Sequence, residues 1–258
     1  MIKKIVSCAL LILGVLTHQA YSQTPSSKLK IYLDKEVAAE YKKADYIDYK
    51  NLISCLGALA GQAVQEGLRV ELIQKKKIPE QNVFAVVETK SKEKYYFGPF
   101  FDEFLFKSER GTDFWSVLTA GYTQAENRLP SIDKMAEHNA KLVGDKSYGR
   151  HSVDNKYQPS ESPISSLNNH WSSVYSELQK ERLHPLSWGW EIASYTSENI
   201  LKKDIGIPKE VAIQLFMESA ISMSKYNDKQ CTRSKLNKEL YHRQRAAWNQ
   251  KSYAFSRR

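Results

Sequence analysis

At 258 residues, with 41 % hydrophobic and 26 % charged side chains, the chain can bury one sizeable core and does not need a second domain. Its formal net charge is +9. The apolar run from Leu52 to Val64 falls short of the roughly 20 residues that a membrane span needs, which excludes a transmembrane helix from the mature chain.

Lys3 and Lys4 precede an uncharged apolar run from Ile5 to Thr17, and Ala20 and Ser22 supply small residues at the two positions a signal peptidase reads. Residues 1–22 are therefore predicted to be a signal peptide cut between Ser22 and Gln23. The protein is expected to be exported to the bacterial envelope, as a periplasmic or secreted chain. Cys8 lacks the flanking residues of a lipoprotein cleavage site, so no lipid anchor is expected. Export also sets aside DNA and RNA, which the charge alone would suit. Loss of the two signal lysines leaves +7, and residues 227–258 carry nine Lys or Arg against two acids. The body, residues 23–226, is thus neutral, and the excess charge rides on the C-terminal tail.

In chain order, Val37, Ala38, Ala39 and Tyr41 suggest a short helix. The next stretch, Asn51 to Arg69, makes the strongest structural demand. Leu52, Leu56, Leu59, Ala60, Ala63 and Val64 recur at helical spacing, and Gly57 and Gly61 stand four apart on one face. Each mid-helix glycine costs about 1 kcal/mol relative to alanine, so close packing of another backbone must offset the loss. Ser219 and Ala220 are the partners this notch suggests. Lys75 to Lys77 and Pro79 end the helix.

Val83–Val87 and Lys94–Phe97 read as a β-hairpin near 83–97, which must lie on helices or pair with a further strand. Phe100, Phe101, Phe104, Leu105 and Phe106 form an aromatic cluster pressed onto the core. Thr112 or Asp113 caps the helix that follows. Pro130 is expected to open another, ending at Gly144. Residues 145–169, with Pro159, Pro163 and many serines, read as a long loop. Helices are then predicted over His170–Arg182, Trp188–Leu201 and from Pro208 to Met223. The fold expected is mostly α: a single helical domain around a small-residue central helix, with one β-hairpin.

Candidate chemistry is sparse. Glu126, Glu137 and His138 are the weak catalytic candidates, joined by Asp133, His151 and Asp154, since carboxylates beside an imidazole suit acid/base work or zinc. Their spacing supports neither. Glu137 and His138 are adjacent and point to different helix faces, and neither HExxH nor G-x-S-x-G occurs. No metal and no cofactor is expected. Trp171, Trp188 and Trp190 would suit a sugar platform, although packing explains them more simply. Cys55 and Cys231 form a possible disulfide in an oxidising compartment.

In the tail, Leu236, Leu240 and Ala247 keep helical spacing among Arg233, Lys235, Lys238, Arg243 and Arg245, with Trp248 as an interfacial aromatic. Such a stretch suits an anionic membrane surface or an acidic envelope protein. The function expected is a non-enzymatic binding or interaction protein, and the alternative is a periplasmic hydrolase acting on cell wall or lipid.

Overall fold

The computed structural model describes residues 27–106, 111–120 and 129–227. Contacts divide the chain into two units that meet after Tyr226, and every element below belongs to the first. Helix α1 (Ser27–Tyr32) runs on through a wider turn, Leu33–Val37, and a tight one, Ala38–Tyr41, and buries Leu29, Leu33, Val37 and Tyr41 along one side.

Helix α2 (Tyr49–Leu68) is capped by Asp48, whose side chain accepts from the Asn51 amide. Every residue of α2 except Tyr49, Lys50 and Glu66 is buried, as an all-round apolar helix requires. A wider turn, Arg69–Lys75, leads into the short α3 (Glu80–Val83). Strands β1 (Ala85–Glu88) and β2 (Lys94–Phe97) then pair antiparallel, with Val86 opposite Tyr96 and Val87 opposite Tyr95. Helix α4 (Pro99–Leu105) begins on its proline and gathers the phenylalanine cluster. Helix α5 (Phe114–Thr119) takes Asp113 as its cap.

Helix α6 (Ile132–Lys141) starts on a Ser131 cap rather than on Pro130. Helix α7 (Pro163–Lys180) corrects the reading of 145–169 as loop throughout. Ser162 accepts from Ser165 N at 3.1 Å and Pro163 takes the first helical position, so the helix begins seven residues before His170. Helix α8 (Trp188–Thr196) widens through Ser197–Leu201, and α9 (Lys209–Lys225) follows Pro208. The fold is therefore mostly α with one two-stranded hairpin. No helix among the described residues is long and apolar enough to cross a membrane.

Helix α2 is the axis of the core, packed most extensively on α9 and then on α8 and α7. A Cβ at Gly57 would sit 2.3 Å from the Phe216 carbonyl oxygen, and one at Gly61 would sit 2.3 Å from that of Ala220. The two backbones touch through these glycines, as their spacing requires. Ser219 meets Ser54 instead, at 3.1 Å.

The hairpin lies on helices through β2. Tyr95 packs edge-on against Tyr148 with ring centres 4.8 Å apart, and bridges Tyr226. On the other face, the buried Arg69 guanidinium lies 4.3 Å from the Tyr96 ring and 4.9 Å from Phe84, and bonds Glu80.

Candidate functional site

The segment between α6 and α7, up to Pro163, lines a polar cleft of about 380 Å³ with Lys146, Arg150, Asn155, Gln158, Ser160 and Glu161 among its residues. It contains only a short turn, Asn155–Tyr157, and side chains from distant elements hold it. Asn51, near the start of α2, accepts from Glu161 N through Oδ1 and donates through Nδ2 to Ser160 Oγ, both at 2.9 Å. From α9, Glu218 accepts from Ser152 N at 2.7 Å and from the Ser152 hydroxyl. Tyr148 donates to the Ser222 carbonyl at 2.7 Å. Within the segment, Gln158 donates to the carbonyls of His151 and Val153 at 2.7 and 2.9 Å. Backbone groups that no helix or strand satisfies are thus paired one by one.

Two buried polar clusters lie beneath. In the first, Ser219 Oγ is 2.7 Å from His151 Nε2, with Ser54 Oγ 3.5 Å from the same nitrogen. The ring also bonds the Leu215 backbone carbonyl. Burial holds the imidazole neutral and pushes its pKa down to about 4. A serine bonded to an oriented imidazole is the core of many nucleophilic sites. Here Ser54 and Ser219 are wholly buried, so no substrate reaches either hydroxyl.

In the second cluster, Tyr41 donates to Glu161 at 2.8 Å, and His170 and Ser166 lie within 3.4 and 3.5 Å of its hydroxyl. The other Glu161 oxygen accepts from Asn169 at 3.0 Å. Cys55 is a free, fully buried thiol beside Tyr41, its pKa pushed up to about 12 by burial. The disulfide expected from the sequence would join this thiol to Cys231. Cys231 itself lies outside the described residues.

The sequence candidates that fall among the described residues stand apart from one another. Glu137 is exposed and pairs with Lys141 at 2.7 Å. His138 turns the other way and donates from Nε2 to the Arg150 carbonyl at 2.7 Å, which adds an anchor to the cleft wall. Asp133 and Asp154 are exposed. Trp171 and Trp188 are buried against Tyr175 and offer no platform. Among the described residues no group of three or more His, Cys, Asp or Glu is placed to hold a metal ion. Glu126 and the tail residues Arg233, Lys235, Lys238, Arg243, Arg245 and Trp248 lie outside the described residues. Sequence reasoning missed Asn51, Gln158 and Glu218. The partners of Asn51 and Glu218 lie up to 110 residues away, and no local spacing announces such pairs. No known protein family, curated protein or solved structure matches this chain.

Proposed function

We propose that this chain is an exported, non-enzymatic binding protein whose cleft over residues 146–163 takes a small polar ligand or the polar side chains of a partner. The observation that carries this reading is the way the cleft wall is built. An irregular segment is fixed from α2, α6 and α9 by side-chain hydrogen bonds to its backbone, while Lys146 and Arg150 stand exposed in its lining and, among the described residues, form no ion pair. A rim held rigid before binding lowers the ordering cost of association. The volume lies in the range of small-molecule sites. The basic tail from residue 227 then attaches the protein to an anionic envelope surface or an acidic partner.

The hydrolase alternative draws on the Ser219 and His151 pair, and the burial of that serine favours binding. The test uses the purified chain with anionic vesicles and with small anions such as citrate and phosphate. Vesicle binding should fall with added salt and with truncation at residue 226. Thermal stabilisation by an anion should disappear in the Lys146→Glu, Arg150→Glu double variant. Hydrolysis of peptidoglycan or phospholipid that is lost in a folded Ser219→Ala variant would replace this reading with the hydrolase.

A further inference from the structure

One residue belongs both to the cleft wall and to the core beneath it. The side chain of His151 is buried, with Nε2 2.7 Å from Ser219 Oγ on α9 and 3.5 Å from Ser54 Oγ on α2. Its main chain is part of the wall: the carbonyl accepts from Gln158, and the next residue, Ser152, donates its amide and its hydroxyl to Glu218. The ring thus seats the wall on the two central helices.

That seat suits a neutral ring only. The side chains that meet Nε2 are hydroxyls. His170 and His184 lie 3.7 and 3.5 Å from Glu40 and Glu71, but among the described residues no carboxylate is within ion-pair distance of His151. Glu218, beside Ser219 on α9, spends its oxygens on Ser152 and Gln214. The acids of the wall are engaged elsewhere or in water: Asp145 holds Ser147, Glu161 holds Tyr41 and Asn169, and Asp154 is exposed. Arg150 precedes the ring in the wall, and His138, from α6, opposes a positive charge on it. His138 itself bonds the Arg150 carbonyl through Nε2, a contact that its charged form also makes, so its own protonation does not loosen the wall. A buried charge without a partner is far costlier than one in water. Proton uptake by His151 is therefore coupled to the exit of its ring.

Such an exit does not require the molecule to unfold. The segment has one short helical turn, Asn155–Tyr157, and side-chain bonds hold the rest, so it can leave while α2 and α9 stay packed. We infer that the cleft wall is an acid-sensitive latch: taking up a proton drives the His151 ring out of its seat and frees the segment that lines the cleft. The opening needs no ligand. That acid also empties the cleft rests on the binding reading above.

Burial lowers the His151 pKa to about 4, and the open state regains the ordinary 6.5. The closed form is fully favoured above pH 6.5 and loses ground as the pH falls toward 4. Between pH 7.5 and 5 the open fraction should rise by about thirtyfold. Amide hydrogen exchange of the full chain, followed by NMR and corrected for the intrinsic effect of pH, reads this directly. The Ser152 amide should lose protection by about thirtyfold, through an opening that low urea hardly changes because it exposes little surface. Leu59, in the middle of α2, should stay better protected and exchange by an opening that urea promotes strongly. In His151→Gln the loss at Ser152 should shrink to about threefold or less.

Protection of Ser152 that is flat over this range, that matches Leu59 in size and urea dependence, or that still falls thirtyfold in a folded His151→Gln protein would overturn the proposal. Should that variant not fold, the parent alone decides, since a fall that begins only below pH 5 belongs to the carboxylates and overturns it as well. None of these outcomes bears on binding in the cleft, which the anion titration tests separately.

Discussion

Replacing Gly61 with alanine tests the axis of the fold. The added Cβ would meet the Ala220 carbonyl oxygen at 2.3 Å and the Ala220 C and Cα atoms at 2.9 Å. Ordinary contact begins near 3.4 Å, so α2 and α9 must separate by about 1 Å, a gap that forfeits a quarter to a half of each dispersion contact across it. The same opening strains the bond of Ser54 to Ser219 at 3.1 Å and those of Gln65 to the Ser224 and Tyr226 carbonyls at 2.8 and 3.0 Å. Overpacking of this kind costs about 1–3 kcal/mol, and each weakened buried hydrogen bond about 1 kcal/mol. Alanine returns about 1 kcal/mol of helix propensity. The net expectation is a loss of about 2–3 kcal/mol, or about 5–10 °C in Tm for a unit of this size. Urea and thermal unfolding followed by far-UV circular dichroism measure it. Gly206→Ala is the control, because no atom lies within 4 Å of a Cβ there and only its positive φ of 67° is strained. A Gly61→Ala protein as stable as the parent would refute the backbone contact.

Three further outcomes are expected. The lowered pKa of His151, about 4 when folded against an ordinary 6.5, means that the unfolded chain binds the proton more readily. This contribution to stability is complete above pH 6.5 and is lost as the pH falls toward 4, to a total on the order of 3 kcal/mol. His184, lowered in the same direction by burial, adds to the slope. Urea midpoints at pH 7 and pH 4.5 should differ less in His151→Gln than in the parent, and an unchanged difference would refute the assignment. Asn51→Ala strips the Glu161 amide of its acceptor and should cost about 1–3 kcal/mol; exchange at that amide should quicken while the middle of α2 stays protected. In a Cys231→Ser variant, Cys55 should ignore a thiol reagent in the native state and react only in denaturant, and rapid native labelling would show the thiol to be reachable.

What the sequence announced was local. The apolar spacing of α2 and its two glycines foretold both a buried helix and a backbone neighbour, and Asp113 and Pro208 marked helix starts where the structure has them. The hairpin was visible because Lys94–Phe97 is β-prone and Gly98 with Pro99 stops it, although Val83 closes α3 rather than opening β1. The start of α7 was hidden because serines dilute its apolar period, so its cap had to be recognised without a stripe to follow. The cleft was invisible for a different reason. Its wall owes its order to Asn51, Glu218 and His138, each an ordinary polar residue in its own neighbourhood. Only the packing of α2 against α9 places the first two where they reach it.

The meeting of Gly57 and Gly61 with main-chain carbonyls also carries a genetic consequence. When two side chains collide, a smaller residue opposite restores room, and revertants can be selected at the facing position. Phe216 and Ala220 present atoms that every amino acid possesses, so no exchange of either residue makes space for a larger neighbour. A screen for second-site suppressors of a Gly61 lesion should therefore return the original codon or changes that stabilise the protein at a distance, and none at position 220.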